Sequence, residues 1–281
     1  MFWQPTSLQE AVRLLADEGG ILVAGGTDVF PALVDRPSPA GLIDLTRCAE
    51  LKGIAIGADA IRIGAGSRWS EIARASLPRG LAALQAAARE VGSVQIQNSG
   101  TIGGNLCNAS PAADGVPPLL ALDAAIELVG PHGLRRLRVG DFVLGNRRTA
   151  RAADEILSAV LIPRRLEAGG SAFLKLGARR YMVISIVMVA VTLVPGPDGR
   201  IADARVAVGA ASAAAQRLGG LEARLIGTDP VGSAPADLVS AADVAGLSPI
   251  DDVRASAAYR LDAARELVGR AILQAWEAAR A

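Results

Sequence analysis

The stretch Ser99-Gly100-Thr101-Ile102-Gly103-Gly104-Asn105-Leu106-Cys107-Asn108-Ala109-Ser110-Pro111-Ala112-Ala113-Asp114 concentrates groups that hold anions and polyols. Its glycines let main-chain N–H groups approach an anion closely, while Thr101, Asn105, Ser110 and Asp114 offer hydroxyl, amide and carboxylate groups. Three glycines, a proline and small polar side chains leave no helical or strand periodicity, so an irregular cradle is expected, with a ligand-free surface loop as the alternative. A second candidate lies upstream. Ile21-Leu22-Val23-Ala24 reads as a short strand running into Gly25-Gly26-Thr27-Asp28, with a helix expected over Val29 to Val34. A strand-to-helix turn brings free amides and the positive end of a helix to one place, where phosphate binds. Thr27 or Asp28 acting as a plain N-cap accounts for the same residues without a ligand.

Other chemistries lack their residues. His132 is the only histidine and sits between Pro131 and Gly133 in an expected hairpin turn, which excludes a Ser-His-Asp triad and a zinc hydrolase. There is no Gly-x-x-x-x-Gly-Lys-Ser/Thr, and Gly64-Ala65-Gly66 lacks the third glycine of a Rossmann fingerprint. Cys48 and Cys107 are the only cysteines and form no Cys-x-x-Cys spacing, so no disulfide framework or iron–sulfur site is expected, and a reduced, cytoplasmic setting is. Lys and Arg number 29 against 28 Asp and Glu, a balance that favours neither nucleic acid nor an anionic membrane as partner. The longest apolar run, Tyr181 to Val194, contains Ser185 and Thr192 and is too short to span a bilayer; no signal-peptide pattern opens the chain. Two glycine turns with few acid–base groups suit a dinucleotide that carries its own chemistry, and a flavin better than a nicotinamide.

The elements that must position these turns follow from patterning. Ser7-Leu8-Gln9-Glu10 is a capping-box spacing ahead of a first helix that Gly19-Gly20 ends. Leu42 to Leu45 and Leu51 to Ile56 are expected strands of a small first lobe, residues 1–58. A second lobe, 59–177, is expected to hold a strand at Ala60 to Gly66, helices at Trp69 to Ala75 and Leu81 to Val91, a hairpin at Ala125 to Val129 and Leu134 to Val139, and closing strands at Asp154 to Ile162 and Ala172 to Leu176. The remainder, 178–281, reads as α+β: a hairpin of Val187 to Val194 and Ile201 to Val208 about Pro195-Gly196-Pro197-Asp198-Gly199, then helices around Gln216 to Leu225, Ala236 to Val244 and Val253 to Ala279.

Four motifs in order carry a resemblance: Val23-Ala24-Gly25-Gly26-Thr27-Asp28; Gly100 to Asn105 with Ser110 to Asp114; Phe173-Leu174-Lys175-Leu176-Gly177-Ala178-Arg179-Arg180; and Asp251-Asp252-Val253-Arg254-Ala255-Ser256-Ala257-Ala258-Tyr259-Arg260. Together they resemble the FAD-binding medium subunit of the molybdenum hydroxylases, the family of carbon monoxide dehydrogenase and bacterial xanthine and aldehyde dehydrogenases. The resemblance implies an α+β fold, with a two-lobed FAD-binding domain of the vanillyl-alcohol-oxidase type and a small C-terminal domain. It implies non-covalent FAD held by Val23, Ala24, Gly25, Gly26, Thr27 and Asp28 and by Thr101, Ile102, Gly103, Gly104 and Asn105, with Asp114 hydrogen-bonding the cofactor, Leu157 packing near it and Lys175 adding a polar contact. It also implies an electron-transfer role beside a large molybdenum-cofactor subunit and a small [2Fe–2S] subunit, as a dimer of heterotrimers. Gln97-Asn98-Ser99 stands where many relatives have an arginine. A binding module for another phosphorylated metabolite, or a stand-alone flavin oxidase, are the alternatives.

Overall fold

Ser7 Oγ accepts from Glu10 N and caps α1 (Leu8–Glu18), which buries Ala11, Val12 and Leu15. That helix packs with a parallel sheet of β1 (Phe2–Trp3), β2 (Ile21–Val23) and β3 (Leu42–Asp44), ordered β1-β3-β2. The computed structural model describes residues 1–34 and 41–281. β2 delivers the chain to the first glycine turn and α2 (Val29–Ala32), a single turn of helix shorter than the expected Val29 to Val34; Leu33 N closes it with a tighter bond to Phe30 O.

The second lobe is built on an antiparallel sheet ordered β4-β5-β10-β6-β7, comprising β4 (Ile54–Ile56), β5 (Ala60–Gly64), β6 (Ala125–Gly130), β7 (Gly133–Arg138) and β10 (Ile156–Pro163). β8 (Val143–Gly145) and β9 (Arg148–Thr149) form a small ribbon beside it. The strand expected over Leu51 to Ile56 in the first lobe starts only at Ile54, because Gly53 turns the chain at φ +83°, and it joins the second-lobe sheet instead by pairing with β5. Helices α3 (Trp69–Arg74), α4 (Ala82–Glu90), α5 (Val94–Ser99), α6 (Ile102–Asn108), α7 (Val116–Ala121) and α8 (Val139–Phe142) accompany the sheet.

α6 corrects the expectation of an irregular cradle at 99–114. Thr101 Oγ1 accepts from Gly104 N at 3.1 Å and caps the helix, and Ile102 and Leu106 are fully buried. Burial of that face and the cap outweigh the glycine penalty of about 1 kcal/mol per residue. The glycines permit the helix to come close: a Cβ on Gly103 would lie 2.7 Å from Ala65 Cβ and 2.8 Å from its carbonyl oxygen.

The C-terminal sheet is antiparallel and ordered β11-β12-β13-β14, from β11 (Gly170–Leu176), β12 (Val187–Pro195), β13 (Ile201–Gly209) and β14 (Gln216–Arg217). β11, expected to close the second lobe, opens this sheet instead, pairing Gly170 with Leu193 through Leu176 with Val187. The apolar run at Val187 to Val194 is explained by burial on both faces. Phe173, Met188, Ala190 and Ala207 enter the second-lobe core, while Val189, Val191 and Val206 pack with the helices α9 (Gly219–Leu225), α10 (Pro235–Leu238), α11 (Ala241–Val244) and α12 (Ala257–Arg280). α12 starts at Ala257 rather than Val253, capped by Ser256 Oγ, because the Asp252 carboxylate ties Arg254 N and Ala255 N into a turn. Asp123, just after α7, joins the lobes to this domain by accepting from Arg165, Arg205 and Arg217.

Candidate functional site

A cleft of about 750 Å³ opens between the two glycine motifs. It is lined by Ala24, Gly25, Gly26, Thr27 and Asp28 of the first motif, by Thr101, Gly103, Gly104 and Asn105 of the second, and by Leu157. Ile21, Leu22, Leu45, Leu51 and Ile156 give one end an apolar lining. Val23 and Ile102 do not line it; both are buried in the protein, at 4% and 0% exposure. The two motifs meet directly. A Cβ on Gly25 would overlap the Ser99 carbonyl oxygen and sit 2.6 Å from its carbon and 2.9 Å from Gly100 Cα.

The two motifs differ in what they can give a ligand. The main-chain N–H groups of Gly25, Gly26, Thr27 and Asp28 have no protein acceptor among the described residues. Gly26 takes φ +68°, which turns successive amides into a concave nest of the kind that binds anions. Asp28 stands at the N-cap of α2 without capping it; its carboxylate accepts from Asn108 Nδ2 at 3.0 Å. In the second motif most amides are already used: Ile102 N donates to Ser67 O, Gly103 N to Ala65 O, Gly104 N to Thr101 Oγ1 and Asn105 N to Thr101 O, at 3.1, 2.9, 3.1 and 3.0 Å. The expected convergence of free amides over 101–105 is therefore found at 25–28, and the second motif supplies a wall. In that wall Asn105 Oδ1 is buried without a hydrogen-bond partner, a cost a ligand donor would relieve.

Charge points the same way. Lys52, Arg68, Arg147 and Arg151 line the cleft, and none forms an ion pair among the described residues; Arg147 donates to Asn108 Oδ1 and Arg151 to the carbonyls of Ala152, Ala153 and Glu155. Among the described residues the only lining carboxylate is Asp28. A cleft with this excess of cations suits a diphosphate. Sequence reasoning missed these four residues, although Asn146-Arg147-Arg148-Thr149-Ala150-Arg151 is a visible basic cluster. Solvent reaches Cys107 through the cleft, yet desolvation by the surrounding protein pushes its thiol up to about 11, which keeps it protonated. Gln97, in the Gln97-Asn98-Ser99 stretch before the second motif, donates to Arg89 O and Val91 O and so ties α5 to the end of α4. His132 lies in the β6–β7 turn, is exposed and does not line the cleft.

Asp114 and Lys175 do not line the cleft; they bind each other. Lys175 Nζ donates to Asp114 Oδ2 at 2.7 Å and to Glu90 O at 3.1 Å, and Ser185 Oγ donates to Asp114 Oδ1 at 2.7 Å. Both side chains are buried, Lys175 at 5% exposure although a lone lysine reads as a surface residue. Burial raises the Asp114 carboxyl above its ordinary value, with Lys175 and Ser185 opposing the rise.

The free amides, the cation excess and the orphaned Asn105 Oδ1 thus fit a phosphate-bearing cofactor with polar donors. Comparisons with known proteins agree with that geometry. Residues 1–165 match the FAD binding domain in molybdopterin dehydrogenase, and residues 172–275 match the CO dehydrogenase flavoprotein C-terminal domain. The chain is 40% identical to the nicotinate dehydrogenase FAD-subunit of Eubacterium barkeri over 66% of each chain, and 33% identical to the nicotine 6-hydroxylase medium subunit of Paenarthrobacter nicotinovorans over 96% of this chain and 95% of that one. Among solved structures, carbon monoxide dehydrogenase from Hydrogenophaga pseudoflava lacking the Mo-pyranopterin moiety superposes with a TM-score of 0.90 at 29% identity, covering 98% of this chain and 96% of that one. Among the described residues no helix is long and apolar enough to cross a membrane. Matched in its cofactor lobes and its C-terminal domain alike, the chain belongs to the family of FAD-binding medium subunits of the molybdenum hydroxylases.

Proposed function

We propose that this chain is the electron-transfer subunit of a cytoplasmic molybdenum hydroxylase. It would take electrons from the [2Fe–2S] clusters of a small partner subunit, with a large partner holding the molybdenum cofactor, and pass them to an external acceptor. The observation that carries this reading is the cleft, whose lining combines Gly25 to Asp28, with four amides that have no protein acceptor among the described residues, and four cations that form no ion pair among them. The amides would hold the cofactor diphosphate, and Lys52, Arg68, Arg147 and Arg151 would neutralise it. Ile21, Leu22, Leu45 and Leu51 would exclude water from the adjoining ring, and Leu157 would pack on the cofactor from the floor of the second lobe. When bound, FAD exchanges electrons singly or in pairs, which suits a relay between one-electron clusters and a two-electron acceptor. The lining holds no histidine and, among the described residues, a single carboxylate, which accords with chemistry carried by a cofactor rather than by protein acids.

Adding FAD to the purified apo chain should quench flavin fluorescence with an end point of one FAD per chain, and acid should release the chromophore unchanged. A chain that stays colourless on reconstitution would refute the cofactor reading. The relay is tested in the assembled complex: substrate should bleach the flavin bands together with those of the clusters, and a flavin that stays oxidised while the clusters are reduced rules out the electron-outlet role.

A further inference from the structure

The motif Asp251 to Arg260 stands out in the sequence yet contributes nothing to the cleft lining. Its arginine is deeply placed. Arg260, on α12, is 3% exposed; its Nη1 donates to Ile186 O at 2.6 Å and Ala210 O at 3.1 Å, and its Nη2 to Asp252 Oδ1 at 2.8 Å. The Nε is buried without an acceptor. Asp252 is itself fixed, because its Oδ1 also accepts from Arg254 N at 2.8 Å and Ala255 N at 3.3 Å. A buried guanidinium with an unmet donor is expensive, and an apolar residue of similar size is often no less stabilising. Its value must lie in what it holds.

What it holds leads back to the cleft. Ile186 is where the chain returns from the loop between β11 and β12, and Ile186 N closes that loop on Leu176 O at 2.8 Å. The preceding residue is Ser185, whose hydroxyl donates to Asp114, which in turn holds Lys175. Lys175 also donates to Glu90 O, next to the cleft residue Val91. Asp114 precedes Gly115, packed so tightly against the cleft residues Trp69 and Asn105 that a Cβ there would overlap the indole and lie 2.9 Å from Asn105 Oδ1. An unbroken buried chain of contacts therefore runs from Arg260 to the wall that carries the orphaned amide oxygen.

We propose that Arg260 is a positioning residue for the cofactor cleft: by anchoring Ile186 it holds Ser185, and through Ser185 the Asp114–Lys175 pair, in the arrangement that sets the wall at Trp69 and Asn105. The proposal rests on the reading that the cleft holds FAD. It assigns to the C-terminal domain a direct influence on a cofactor bound in the other two lobes.

The test uses the full-length apo chain titrated with FAD, alongside thermal melting and the visible circular dichroism of the bound flavin. Arg260→Met and Ser185→Ala should each weaken FAD binding about five- to tenfold, the worth of one buried hydrogen bond, and each should alter the flavin dichroism. The double variant should bind no more weakly than Arg260→Met alone, since both act through one chain of contacts. Arg260→Lys, which keeps the charge but not the fork, should recover part of the loss. A merely structural arginine would lower the melting temperature and leave affinity and dichroism unmoved. Wild-type affinity in Ser185→Ala overturns the proposal even if Arg260→Met fails to fold, and so do losses that add independently in the double variant. A wild-type chain that binds no FAD overturns the proposed function along with it, whereas normal binding in wild type and variants alike overturns only this inference.

Discussion

Replacing Gly25 by alanine tests whether the first glycine turn is the anion site. The new methyl would overlap the Ser99 carbonyl and sit 2.9 Å from Gly100 Cα, where carbon atoms rest at about 3.5–4.0 Å. Ser99 and Gly100 cannot retreat easily. Gly100 N donates to Ile96 O at 2.6 Å, and Gly100 O accepts from Trp69 N at 3.1 Å, so that stretch is pinned from both sides. The turn at 25–28 must therefore back away by roughly 1 Å, carrying its four free amides with it. Overpacking of this kind costs about 1–3 kcal/mol of stability. If two charge-assisted hydrogen bonds to a diphosphate are lost, at about 1.5–3 kcal/mol each, FAD affinity falls by about 3–6 kcal/mol, on the order of 10²- to 10⁴-fold. Flavin fluorescence titration of the apo chain reads the affinity, and a parallel melt separates it from unfolding. Gly140→Ala is the control: it lies on α8 outside the cleft lining and its Cβ would meet Leu120 Cδ2 at an ordinary 3.5 Å, so it should cost little affinity. A Gly25→Ala chain that binds within threefold of wild type, or a Gly140→Ala chain that loses as much, would refute the assignment of the amide nest to the first turn.

Two further expectations follow from the charges. Arg147→Gln with Arg151→Gln should weaken FAD binding about tenfold and flatten its salt dependence, because two unpaired cations leave the cleft; unchanged affinity and salt slope would remove them from the site. Asp123→Asn should lower the melting temperature by a few degrees, equivalent to about 1–2 kcal/mol, the partial loss reflecting that Arg205 and Arg165 keep Asp203 and Arg217 keeps Glu222. The pH dependence has a definite sign. Burial pushes the Asp123 carboxyl up, but the Arg205 hydrogen bond and the charges of Arg217, Arg205 and Arg165 outweigh it and hold it below its ordinary value. Its stabilisation is thus present above the unfolded value of about 3.9 and is lost as pH falls through the folded one, so the gap between wild type and Asp123→Asn should close in acid. A gap that widens there contradicts the ion-pair account. Asp252, held at about 2 chiefly by the Arg254 amide, should loosen in the same direction between about pH 4 and pH 2.

Much of this was legible in residue types. Ser7 with Glu10, the Pro195 to Gly199 turn and the strand running into Gly25-Gly26 are local signals, and each forms where its spacing places it. The misses share a physical cause. Whether Ile102 and Leu106 are buried is decided by β5 and the core behind it, which local periodicity cannot see, so α6 looked irregular. β11 could pair with the second-lobe sheet or with β12, and the choice is a non-local one made by Phe173 and Leu174 facing different cores. Lys175 looks exposed in sequence because nothing nearby in the chain announces Asp114, 61 residues away.

The division of labour between the glycine motifs has an energetic consequence. Gly25 to Asp28 offer free amides but belong to a lobe whose own sheet has, among the described residues, three short strands. The second motif has spent most of its amides on Ser67, Ala65 and Thr101, and that lobe brings Arg68, Arg147 and Arg151 instead. The first lobe brings the amides but only one of the four lining cations, Lys52, so binding and fully neutralising a diphosphate takes both lobes. A ligand that needs both will draw them together, and it will stabilise the chain by RT ln(1 + [L]/Kd), about 2.7 kcal/mol at a hundredfold excess over Kd. That stabilisation should be greatest in the first lobe, since its small sheet has least packing of its own to lose. Hydrogen exchange measured with and without FAD should therefore slow most at Ile21 to Asp28, and protection spread evenly over all three sheets would argue against a cleft closed by its ligand from both sides.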